Sequence, residues 1–125
     1  MKLTTFDDIK AQIEHYQSED DILASSLVEI VLAEIEKAIS KVKEYTEYIT
    51  WEEYKIIVTE VDLKDTLTYD ERQVLEKVMP LVKKRYMEIG WDDCNCRLIL
   101  NDLNIPVGIK VTLYKKVNYL CKFLE

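Results

Sequence analysis

The residue pattern predicts an α+β fold, mostly helical, with a β-hairpin near its C-terminus. Three observations carry that expectation. Apolar residues recur in heptad fashion from Ala24 to Ile49. Thr5-x-x-Asp8, Thr50-x-x-Glu53 and Thr68-x-x-Glu71 are capping signals, in which a threonine and an acid three residues on satisfy each other's free amides. After Gly90 the apolar period shortens from helical to two.

A first helix is expected from Thr5, with Phe6, Ile9 and Ile13 on one side, ending near Gln17. Ser18 then reads as a second N-cap, because Glu19, Asp20 and Asp21 would sit in a first turn where the helix dipole favours negative charge. The long helix that follows, about 19–49, has the seam Ala24, Val28, Val31, Ile35, Ala38, Val42, Tyr45 and Ile49, widened by Leu27, Leu32 and Ile39.

A further helix is expected over about 51–62, since Tyr54, Ile57, Val58 and Val61 fall at i, i+3, i+4 and i+7. The run Ile56-Ile57-Val58-Thr59 also suits a strand, as β-branched side chains do. The next helix, about 69–89, lines up Val74, Leu75, Val78, Val82, Tyr86 and Ile89 and stops at Gly90. Pro80 predicts a kink or break near Met79.

Cys94, Cys96, Leu98 and Leu100 then alternate with Asn95, Arg97 and Ile99. Asn101-Asp102-Leu103-Asn104 supplies turn chemistry, and Ile109, Val111 and Leu113 alternate again. The hairpin is therefore placed at about 94–100 and 107–115, with Pro106 and Gly108 marking an edge or a bulge. The last nine residues fit a helix or a strand, with helix preferred.

At 125 residues the chain matches a single domain, 1–125, that can bury about two-thirds of its unfolded surface. Two glycines leave no Gly-rich phosphate loop. Three cysteines cannot all pair, which points to a reducing compartment, and no apolar run approaches a membrane span, so the expected location is cytoplasmic. The net charge of −7 is uneven: residues 1–63 hold 15 acids and 6 bases, residues 64–125 hold 9 acids and 11 bases. That balance suits a protein partner with a basic surface and disfavours general nucleic-acid binding.

Candidate chemistry is sparse. Cys94 and Cys96 share a strand face and could hold zinc with Cys121 and His15, but C-x-C without a second pair is not the usual ligand spacing, and two buried thiols explain the stretch better. His15 has no nucleophile tied to it by any local signature. No catalytic residue, cofactor or metal is therefore expected, and the chain does not read as an enzyme.

The preferred function is a protein-protein interaction module. Its composition is of the kind found in small acidic proteins of phage and other mobile elements that bind and inhibit host proteins handling nucleic acid, in which case its place is the host cytoplasm. Glu29, Glu36, Glu44, Glu47, Glu52 and Glu53 are the candidate partner-facing carboxylates. An assembly protein, self-associating as a homo-oligomer through Val28, Val31, Ile35 and Val42, is the alternative. Third comes a nucleic-acid binder using Lys83, Lys84, Arg85, Lys115 and Lys116, with Lys110 and Lys122 nearby and Tyr86, Tyr114 and Tyr119 for stacking. A helix-turn-helix over residues 100–120 fails, because Lys110 stands where an apolar residue is required.

Overall fold

The computed structural model describes residues 1–46 and 54–117. Six elements follow in order: α1 (Phe6–Ile39), β1 (Tyr54–Asp62), α2 (Tyr69–Arg72), α3 (Leu75–Glu88), β2 (Asp93–Leu100) and β3 (Pro106–Lys116). The strands form an antiparallel sheet of order β1-β3-β2, with α1 and α3 packed on one face. The expected α+β class is the one observed.

Local signals set several boundaries. Thr5 caps α1 reciprocally with Asp8, and Thr68 caps α2 reciprocally with Glu71. Gly90, at φ +111°, ends the α3 segment: its N–H donates to the Met87 carbonyl and the Trp91 N–H to that of Tyr86, the paired bonds of a Schellman stop. In the β2–β3 turn the Asn101 side-chain oxygen accepts from the amides of Leu103 and Ile105, and Asn104 takes φ +60°. The hairpin stands within a residue or so of its expected limits.

Other expectations are corrected. The two helices divided at Ser18 are one, because no glycine or proline stops the first, and a capping pattern permits a helix start without imposing one. That helix ends at Ile39, well before Ile49. Ser40 and Lys41 turn the chain, and the Thr46 N–H donates to the Ile56 carbonyl at 2.8 Å, joining the sheet edge. The expected helix over 51–62 is strand β1 from Tyr54 onward. Its apolar residues lie on both faces, so helical and two-residue spacings coexist, and pairing with β3 decides between them. Thr50 and Glu53, Ile49, and the tail from 118 lie outside the described residues.

The expected helix 69–89 is divided at Gln73 and Val74, not at Pro80; α3 runs through that proline, whose exposed position leaves the unpaired Glu76 carbonyl on the solvent side. β3 is the central strand, not the edge that Pro106 and Gly108 suggested. Gly108 allows β1 to close on β3, since a Cβ there would lie 2.1 Å from the Val61 carbonyl oxygen, and a bulge follows between Ile99 and Leu100.

The core lies between the helices and the inner sheet face. Ile57, Thr59 and Val61 of β1 stand opposite Leu113, Val111 and Ile109 of β3, which in turn face Cys94, Cys96 and Leu98 of β2. Over them lie Ala24, Leu27, Val28, Val31 and Ile35 of α1, with Leu75, Val78, Val82 and Tyr86 of α3. The front-half acids and back-half bases meet here within one chain: Arg85 pairs with Glu29, and Lys77 lies 2.9 Å from Asp21.

Candidate functional site

Strand alternation that turns Ile109, Val111 and Leu113 toward the helices must turn Lys110, Thr112 and Tyr114 the other way. The neighbouring strands present Tyr54, Ile56, Val58 and Glu60 from β1, and Asp93, Asn95 and Arg97 from β2. No described helix lies on this outer face. It forms a cavity of about 640 Å³ lined by Tyr54, Ile56, Val58, Asp92, Asp93, Asn95, Arg97, Lys110, Thr112 and Tyr114, within the size range of small-ligand and peptide sites.

The groove has two unlike ends. At one, Tyr54 and Tyr114 meet edge to face at 6.4 Å, and both aspartates are engaged. Asp92 accepts the Lys116 N–H at 2.6 Å and lies 3.9 Å from Lys115. Asp93 accepts the Cys94 N–H at 2.8 Å and lies 3.5 Å from Lys83. At the other end Arg97 and Lys110 are direct cross-strand partners, a like-charge pair that opposes folding. Glu60 stands opposite Lys110 on β1, yet among the described residues neither cationic side chain makes an ion pair or hydrogen bond. Asn95 and Thr112 supply neutral hydrogen-bonding groups between the two ends.

The residues singled out in the sequence are dispersed. Glu29 is held by Arg85, and Glu36 accepts the Tyr86 hydroxyl at 2.8 Å. Burial, then that bond, keeps the Tyr86 hydroxyl protonated far above the ordinary range. Glu44 is exposed, while Glu47, Glu52 and Glu53 lie outside the described residues. Val28, Val31 and Ile35 of the proposed self-association seam are packed in the chain's own core, and Val42 lies beyond the end of α1. Of the basic set, Lys84 is 3.9 Å from Glu88, Arg85 is on Glu29, and Lys115 also donates to the Gly90 carbonyl at 2.8 Å.

Cys94 and Cys96 lie on the inner face with their sulfurs 3.8 Å apart. Their shared hydrogen bond holds the Cys94 thiol below its usual range; the same bond and burial push the Cys96 thiol far up. Among the described residues no three His, Cys, Asp or Glu side chains gather as a metal site. His15 pairs with Glu19 on an exposed turn of α1, away from both features.

Asn95 and Arg97 are among the groove residues that the sequence reading missed. The alternation that predicts the hairpin already sets them opposite the cysteines; the register across the turn, which puts Arg97 beside Lys110, is what the alternation lacks. Comparison with known proteins finds no matching family model, no matching curated protein and no matching solved structure. Among the described residues no helix is long and apolar enough to cross a membrane.

Proposed function

We propose that the chain is a non-enzymatic protein-protein interaction module whose binding surface is the outer sheet face, and that its partner presents a carboxylate flanked by apolar side chains. The observation that carries this reading is the adjacent pair Arg97 and Lys110. Two neighbouring cations cost stability when, among the described residues, neither is ion-paired even though Glu60 stands opposite Lys110, and a partner anion would turn that repulsion into attraction. Half-buried Val58, opposite Thr112, and Tyr114 at the far end of the groove supply apolar and aromatic surface of the type that anchors protein interfaces, while Ile56 between them is buried.

A protein ligand is favoured over a nucleic acid for two reasons. The chain is acidic overall at −7, and Asp92 and Asp93 occupy the far wall of the same groove. The acidic-face reading has less support, because Glu29 and Glu36 are committed to Arg85 and Tyr86.

The test is selection of a randomised peptide display library on the immobilised full chain. Enriched peptides should carry Asp or Glu next to apolar residues and lose affinity by ~10-fold or more for Arg97→Glu with Lys110→Glu, the loss of one charge-assisted contact. No enrichment, or peptides indifferent to the double substitution, refutes the reading.

A further inference from the structure

The long helix does not spend its whole length in the core. Residues 1–22 are exposed throughout, and among the described residues the first polar contacts beyond the helix are made by Lys77, to the Gln17 carbonyl and to Asp21. Leu23 is the first residue of α1 packed against the core. The segment Phe6–Tyr16 is therefore an arm of three turns, about 16 Å long at 1.5 Å per residue, closed at its tip by the Thr5–Asp8 cap.

Its apolar residues are arranged in register. Phe6 and Ile13 lie on the seven-residue repeat of Leu27, while Ile9 and Tyr16 lie on that of Leu23. The face that buries Leu27 downstream is bare upstream: Phe6 is 80 % exposed, Tyr16 57 %, Ile13 51 % and Ile9 43 %. Asp20 interrupts the stripe between arm and core.

From this we infer that the arm is a homodimerisation element, its occupant the same arm of a second copy of this chain. The 3-4-3 spacing of Phe6, Ile9, Ile13 and Tyr16 is that of a two-helix seam, and identical stripes are self-complementary across a two-fold axis. The four side chains expose on the order of 500 Å² per chain, so two copies would cover ~1,000 Å², the threshold for a specific interface. A short helix without packing is marginal in water, and mutual burial supplies what the domain does not. The seam is thus moved along the helix from Val28–Val42 to residues 6–16.

Asp7, Asp8, Glu14 and Glu19 flank the stripe against Lys10, so paired arms repel electrostatically and salt should tighten the dimer. The test is sedimentation equilibrium of the full chain at low and high salt, beside Ile9→Lys with Ile13→Lys. A dimer is expected, strengthened by salt and weakened at least ~30-fold by the double substitution, with the circular dichroism and melting of dilute protein unchanged. A wild-type monomer at the highest attainable concentration overturns the inference and leaves the stripe to another protein or a lipid surface. A dimer indifferent to the double substitution, or one that salt dissolves, also overturns it.

Discussion

Ile35→Ala tests most sharply where the heptad seam of α1 is used. Ile35 is wholly inaccessible and belongs to the same cluster as Val82, Tyr86 and Cys94. Truncation removes three carbons and leaves a cavity that closes only partly, at a cost of about 2–5 kcal/mol. Against a stability of roughly 5–15 kcal/mol for a domain of this kind, a 3 kcal/mol loss is a large share. It corresponds to a fall in melting temperature of ~12 °C at ~4 °C per kcal/mol. The control is Ile13→Ala on the same helix, half exposed on the arm and expected to cost less than ~1 kcal/mol in dilute protein. Urea unfolding followed by circular dichroism, at low and high protein concentration, measures both. An Ile35→Ala loss below about 1 kcal/mol, or one that varies with concentration, would place Ile35 at an interface between copies and refute its assignment to the core.

Three further outcomes follow from particular contacts. Gly108→Ala drives a Cβ into the Val61 carbonyl, so β1 must separate from β3; amide exchange should rise along Tyr54–Asp62, and unchanged protection there would contradict the close approach. Burial and the Glu36 bond raise the Tyr86 hydroxyl above its usual value near 10, so its contribution is intact below pH 10 and declines as pH rises beyond it. Tyr86→Phe should therefore flatten the alkaline loss of stability, and equal alkaline slopes in the two proteins would count against that burial. Arg97→Glu replaces a like-charge cross-strand pair by an opposite one and should stabilise the fold by ~0.2–1 kcal/mol in a thermal melt, whereas a loss would show that Arg97 has a structural partner.

What the sequence makes legible here is local. The Thr5 and Thr68 caps, the Gly90 stop and the Asn101 turn each need only a few neighbouring residues, and they stand where the pattern puts them. Non-local pairing decides the rest. Nothing in the pattern ends α1 at Ile39, since no glycine or proline follows for many residues and the seam spacing runs on to Ile49; the Thr46–Ile56 bridge takes the chain out of the helix. β1 carries apolar residues on both faces because one covers the core and the other lines the groove, which defeats a test for a single amphipathic face. The candidate site was hidden for the same reason. Arg97 and Lys110 are 13 positions apart and become neighbours only through the hairpin register, and which hairpin face turns outward depends on where α1 and α3 dock.

The arm and the groove have different requirements. The arm presents an apolar stripe flanked by carboxylates and suits an identical partner, whereas the groove combines cations, neutral hydrogen-bonding groups and apolar surface and suits a different one. Joining two chains through their arms would present two grooves together, so a bivalent partner would gain avidity without new contacts.

The most direct test of the proposed binding surface is an amide chemical-shift map of the full chain titrated with the strongest peptide from the display selection. Shifts centred on Val58, Asn95, Arg97, Lys110 and Thr112 are predicted, saturating together with one affinity. Shifts centred on Glu29 and Glu36 of α1, with the outward residues of the sheet unmoved, would contradict it.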